Sequence, residues 1–219
     1  MVLSDFEKHR IDTEFALSQV AQYYNALEDQ IHRLKDEKLE QVRKLVEEGR
    51  LPNGFEQSFI EGFEITIARN FRYSYIVLLC LVAENRLEAI CDYVQKQKAL
   101  PLRARDLAGD SFAKCTKYLK QMAQVPLTQI TYWAEADDLL KIRNCIVHTE
   151  GRIQKSRDSG RLRDLCKQKK GITRSGEEPN EVLVIGPQYC IAVTDHMIET
   201  FSRINIEIGY ADNPQKDLQ

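Results

Sequence analysis

The chain has little that would anchor it, export it or load it with a metal. Over 219 residues no apolar run is long enough to cross a bilayer; the strongest, Tyr75 to Ala83, is short and flanked by Arg72 and Glu84, so it reads as the core of a buried helix. The opening residues, Met1 to Lys8, lack the apolar centre of a secretory signal, and export is not expected. Charge is balanced, 31 Lys and Arg against 33 Asp and Glu, so a net charge of -2 gives no global field to gather nucleic acid and any such site must be local. The six cysteines are widely spaced without a C-x-x-C pair, which suits a reducing cytoplasm and argues against a zinc site. A glycine-rich phosphate loop and clustered acidic metal ligands are also missing, which disfavours phosphotransfer or hydrolysis on a nucleotide. No cofactor and no membrane partner are expected.

Gly and Pro are absent from residue 5 to about 48, where Leu17, Val20, Tyr24, Leu27, Ile31 and Leu34 recur at alternating steps of three and four. This marks residues 1–50 as one long helix with a narrow apolar seam, either packed on its own domain or paired with another chain as a coiled-coil arm. Gly49 and Leu51-Pro52-Asn53-Gly54 should end it. A second long helix is expected from Ser58 to Lys98, a shorter one over 106–122 and a fourth from Ile130 to Thr149, closed by Glu150-Gly151. Residues 152–174 carry nine Lys or Arg and read as a mobile connector with a short helix near 159–168. Glu181 to Ile185 and Tyr189 to Val193, split by Gly186-Pro187, are expected to form a small β-hairpin. A last helix should run from Thr194 to Ile208, and 211–219 should be a flexible tail. The fold class is therefore all-α, a helical bundle with a long N-terminal helix and a small hairpin near the C-terminus.

The fourth helix carries the chemistry. Leu139, Ile142, Cys145, Ile146 and Thr149 share one side at helical spacing, and Asp137, Lys141, Asn144 and His148 share the other. Asn144 and His148 are four apart and adjoin on one polar strip. Arg143 is five residues before His148, about 140° round the helix, so only its long side chain can approach the same site. A structural alternative gives His148 to the helix dipole and Arg143 to an ion pair with Asp138 or Glu150. By spacing, His9, His32 and His196 have no catalytic partner.

The run Lys141-Ile-Arg-Asn-Cys-Ile-Val-His-Thr-Glu-Gly151 resembles the active-site helix of the HEPN superfamily, whose signature is Arg, four to six residues, then His, often with Asn after the Arg. The order around it is similar too: a long apolar helix with acidic positions (Glu84, Glu88), the motif helix, a hairpin and a closing helix, over about 58–210. The resemblance implies a HEPN-like domain there and an endoribonuclease in which Arg143, Asn144 and His148 are catalytic. It also implies a homodimer paired across this helix, two Arg143 and two His148 lining one cleft. The products implied are a 2′,3′-cyclic phosphate and a 5′-hydroxyl, formed by attack of the ribose 2′-OH without a metal. Family members of this size are toxins or antiviral defence effectors, so an antitoxin or regulatory protein is an implied partner beside the RNA. Lys141, Arg152, Lys155 and Arg157 are the candidate RNA contacts, placed to supply the local positive potential that the whole chain lacks. The alternative is a non-catalytic HEPN-like interaction module in a defence or toxin–antitoxin complex.

Overall fold

The computed structural model describes residues 4–211, and helix dominates it. The first helix, α1, spans Asp5–Glu47. Ser4 opens it with a reciprocal cap, its Oγ accepting from the Glu7 amide at 3.2 Å while the Glu7 carboxylate accepts from the Ser4 amide at 2.8 Å. Gly49, at φ 70°, turns the chain out at the far end.

The expected second helix is a longer continuous run in three parts: α2 (Phe55–Phe63), a wide π turn (Glu64–Ala68) and α3 (Arg69–Gln97). A π turn advances less per residue than an α turn. That delay brings Glu64 to the face of Arg72, eight residues on, where the two pair at 3.0 Å. The third helix, α4, starts at Ser111 rather than 106, because Asp110 takes the N-cap and accepts from the Ala113 amide at 2.8 Å. The motif helix, α5, covers Trp133–Thr149, beginning three residues later than expected.

The segment read as a mobile connector is mostly regular structure. It holds α6 (Ser159–Gln168), where a short helix was anticipated, and then strand β1 (Ile172–Ser175). β1 pairs antiparallel with β2 (Val182–Ile185), Ile172 opposite Ile185 and Ser175 opposite Val182. The hairpin is real, but its second expected strand is not. Residues 189–193 belong to α7, which runs Pro187–Ala211. Pro187 is the reason: a proline lacks an amide hydrogen and has a helical φ, so it suits the first position of a helix better than the turn of a hairpin. The tail expected over 211–219 lies, past Ala211, outside the described residues. No helix among them is long and apolar enough to cross a membrane.

Contacts divide the chain into two compact units, and α1, α3, α5 and α7 each supply one stretch to each. The first unit comprises Met1–Val20, Leu79–Leu139 and Val193–Gln219, with Leu17, Leu87, Ile90, Tyr118, Leu119 and Ile204 in its core. The second comprises Ala21–Leu78 and Leu140–Ala192, and it buries Tyr75, Ile76, Ile142, Leu162, Leu183 and Ile185. The α1 seam is spent inside the chain, Leu17 and Val20 buried in the first unit and Tyr24, Leu27 and Ile31 in the second.

The second unit also buries a charge network. Arg72, 3 % exposed, places Nε 2.6 Å from Glu28 Oε1 and Nη2 3.1 Å from Glu28 Oε2, and the Tyr24 hydroxyl donates to the same carboxylate at 2.9 Å. Burial alone would raise the Glu28 carboxyl, but the hydrogen bonds and charge of Arg72, with the Tyr24 hydroxyl, outweigh it and hold the group below the ordinary glutamate range. A depressed carboxyl stabilises the fold above its unfolded pKa, and that contribution disappears as the pH falls through the folded value. Replacing Glu28 with Gln should therefore lower stability in urea at neutral pH by about 3 kcal/mol, since it strips a buried guanidinium of its bidentate partner. The wild type should also lose more stability than the variant as the pH drops below about 4.5, read from urea melts of both proteins.

Candidate functional site

The candidate residues all fall in the second unit, on the last turns of α5 and the segment after it. The amphipathic split holds there: Ile142 and Cys145 are fully buried, Lys141 and Asn144 half-buried and His148 exposed. Arg143 reaches back to its neighbour, Nη1 donating to Asn144 Oδ1 at 3.0 Å. Its Nε is sealed from solvent without a hydrogen-bond partner, and among the described residues no carboxylate neutralises it. Glu150, one expected partner, is taken by Arg152 at 3.1 Å. His148 makes no hydrogen bond or ion pair among the described residues, and Val147 beside it is 47 % exposed. The structure thus joins Arg143 to Asn144, and His148 is hydrogen-bonded to neither.

The end of α5 is fixed firmly. Glu150, at φ 56°, and Gly151, at φ 79°, turn the backbone left-handed, with their amides donating to Ile146 O at 3.0 Å and Cys145 O at 3.1 Å. Thr149 Oγ1 accompanies them, donating to Cys145 O at 2.7 Å. Tyr73 of α3 packs on this turn so closely that a Cβ on Gly151 would overlap the tyrosine hydroxyl and lie 2.7 Å from its Cζ. The same hydroxyl donates to Leu183 O on β2. Backbone bonds complete the join, Leu183 N to Gly151 O at 2.8 Å and Ile153 N to Glu181 O at 3.0 Å.

The basic segment spends much of its charge internally. Arg163 and Arg174 both pair with Glu181, which is nearly buried, and Arg163 also reaches Glu178 at 2.7 Å. Of the four expected RNA contacts, Lys141 is half-buried and Arg152 is held by Glu150. Lys155 and Arg157 are exposed and have no ionic partner among the described residues.

All six cysteines are free and five are buried. Burial raises the Cys145 thiol and pushes Cys190 up to about 12, so both stay protonated thiols in the packing near this helix and the start of α7. Among the described residues no three His, Cys, Asp or Glu side chains converge as a group able to hold a metal ion. His196, with no catalytic partner by spacing, is held by residues distant in sequence: its Nδ1 lies 2.6 Å from Glu135 in the first unit, and its ring stacks on Tyr132 with centroids 3.7 Å apart. The partner is 61 residues away in sequence, beyond any spacing rule. Glu88, one of the acidic positions of the resemblance, is engaged in the first unit by the hydroxyl of Ser111.

Two residues beside the site carry no catalytic signature in the sequence. Tyr73 is the packing partner of the helix end, and Arg69 lies over the Tyr73 ring with Cζ 5.5 Å from its centroid. Their i, i+4 spacing was the only available signal. Comparison of the chain with protein-family models, with curated proteins and with solved structures finds no match in any of the three.

A methyl group at residue 151 would meet both a left-handed backbone and the Tyr73 hydroxyl. Gly151→Ala should destabilise the protein by about 2 kcal/mol or more in thermal or urea melts, beyond the roughly 1 kcal/mol of the backbone effect alone. Gly160→Ala, where a Cβ meets nothing within 4 Å, should have little effect.

Proposed function

We propose that this protein is a metal-independent endoribonuclease of HEPN type, with His148 as general base or acid and Arg143 as the charge that stabilises the phosphate. The observation that carries this reading is that, among the described residues, the Arg143 guanidinium has no carboxylate partner and the exposed His148 is unengaged, both on one rigid helix end. RNA brings its own nucleophile. A base that takes the ribose 2′-OH proton sets that oxygen on the adjacent phosphorus, and the leaving 5′-oxygen takes a proton in turn, giving a 2′,3′-cyclic phosphate and a 5′-hydroxyl. Negative charge builds on the phosphoryl oxygens during this step, and a planar, permanently charged donor set meets it best. Asn144 is a positioning residue in this scheme, since its side-chain oxygen holds Arg143 rather than facing the substrate.

One copy of α5 displays Arg143 and His148 in diverging directions, so two copies facing each other across this helix would complete the site, and the exposed Val147 would offer such a pair an apolar contact. The HEPN-like fold, the dimer and a role as toxin or antiviral defence effector under the control of an antitoxin or regulatory protein belong to the same proposal.

Purified protein should cut a defined RNA in EDTA and leave the matching DNA intact. His148→Ala should lower the rate about a hundredfold or more while changing stability by only about 1 kcal/mol. Arg143→Lys should also lose activity, because lysine keeps the charge without the forked donors. A mixture of His148→Ala and Arg143→Ala chains should recover some activity if the sites are composite. Cleavage by His148→Ala at the wild-type rate would sink the reading. An inactive wild type, with a His148→Ala variant that melts much earlier, would favour the non-catalytic interaction module.

A further inference from the structure

Arg69 and Arg72 are one turn apart on α3, in the same unit, and the structure treats their charges in opposite ways. Arg72 is neutralised twice over, by Glu28 and by Glu64. Arg69 is half-buried, and its Nε is sealed with no hydrogen-bond partner. Among the described residues no carboxylate approaches it; its one partner is the face of Tyr73, 5.5 Å from Cζ. A cation held over an aromatic ring keeps its charge and its donors while the ring fixes the plane of the guanidinium. Tyr73 in turn packs against Gly151, three residues beyond His148. Tyr73 thus lies between the guanidinium and the end of the motif helix, and Lys155 and Arg157 follow that end without ionic partners among the described residues.

From this arrangement we infer that Arg69 is an unassigned phosphate-binding residue, which grips the backbone of single-stranded RNA beside the phosphate addressed by His148. The inference rests on the ribonuclease reading for its substrate, but it concerns binding and not the chemical step. A half-buried guanidinium with no carboxylate beside it keeps an uncompensated charge at the surface, open to an anion. A guanidinium left unpaired here is matched by an anion that arrives from outside, and a phosphodiester offers the oxygen pair its fork requires. Tyr73 is a positioning residue in this account, since it acts by orienting Arg69.

The test measures binding and cleavage separately. Anisotropy of a fluorescein-labelled single-stranded RNA, titrated over several salt concentrations, would compare the His148→Ala chain with the same chain carrying Arg69→Gln. Affinity should fall about tenfold, and the slope of log affinity against log salt should shrink by about 0.7, the loss of one phosphate contact. Arg43→Gln, at an exposed α1 site paired with Glu40, should change neither. In steady-state cleavage by the otherwise intact chain, Arg69→Gln should raise KM with kcat little changed. If the wild type binds RNA without cutting it and Arg69→Gln weakens that binding, this inference stands and the ribonuclease reading falls. Should the wild type cut RNA while Arg69→Gln leaves affinity, salt slope and KM unmoved, the inference is overturned and the reading survives. No RNA binding by either chain overturns both. If Arg69→Gln melts too early to assay, phenylglyoxal labelling of the wild type decides: RNA should protect Arg69, and unchanged labelling overturns the proposal.

Discussion

One tyrosine holds the second unit in register. Tyr73 sends its hydroxyl to the Leu183 carbonyl on β2 and lays its ring against the Gly151 turn that ends α5, while Arg69 covers its face. Burial raises its phenol well above the ordinary range, so the hydroxyl stays a donor throughout the physiological range. The helix end, the hairpin and the neighbouring cation are thus positioned by one rigid side chain with few rotamers to lose. This explains why residue 151 is a glycine for two reasons at once. The left-handed turn favours it, and the ring leaves no room for anything larger.

Charge is distributed with the same economy. The chain is close to neutral overall, and its most basic stretch looks like a nucleic-acid patch until the pairs are assigned. Glu181 alone occupies Arg163 and Arg174, and Glu150 occupies Arg152. Those pairs fasten α6, the hairpin and the end of α5, and they contribute little field at a distance. Lys155 and Arg157 in that stretch, and Arg69 and Arg143 elsewhere in the second unit, have no carboxylate partner among the described residues. A local field made of few charges is short-ranged in salt, with a reach of about 10 Å at 0.1 M. Such a field orients a phosphate already nearby better than it gathers a polyanion from solution.

Much of this could be read from residue order because helices are local. The long α1, the apolar face of α5, its end at Glu150-Gly151 and the short α6 all follow from periodicity and glycine placement. Where local signals were not enough, long-range partners decide. β2 looked like the first strand of a hairpin turned by Gly186-Pro187, yet its partner is Ile172–Ser175, a short stretch inside the basic segment that carries only a weak strand pattern. The wide turn over Glu64–Ala68 makes sense only through the pair of Glu64 with Arg72, and Arg72 only through Glu28, 44 residues earlier. Asn144 illustrates the limit within the site itself. Helical spacing sets it on the polar strip with His148, but the hydrogen bond its Oδ1 accepts comes from Arg143. Helical spacing tells which side chains are neighbours without telling which neighbour a flexible arginine will choose.

The rigidity of the α5 end also constrains how chemistry can occur there. A site on a loop can swing its groups together when substrate arrives, but here the backbone after His148 is locked by two left-handed residues and by Tyr73. His148 and Arg143 cannot be brought onto one face by bending the helix. Arg143 is already committed to Asn144 with its Nε enclosed. Catalysis in the proposed manner therefore needs a surface that supplies from outside what one copy cannot supply by rearrangement. A second α5 related by a two-fold axis does so without any change in either chain, because each copy would offer its histidine to the phosphate held by the other's arginine. A fixed helix end is an obstacle to a monomeric site, and for a composite one it is the preorganisation that makes the arrangement effective.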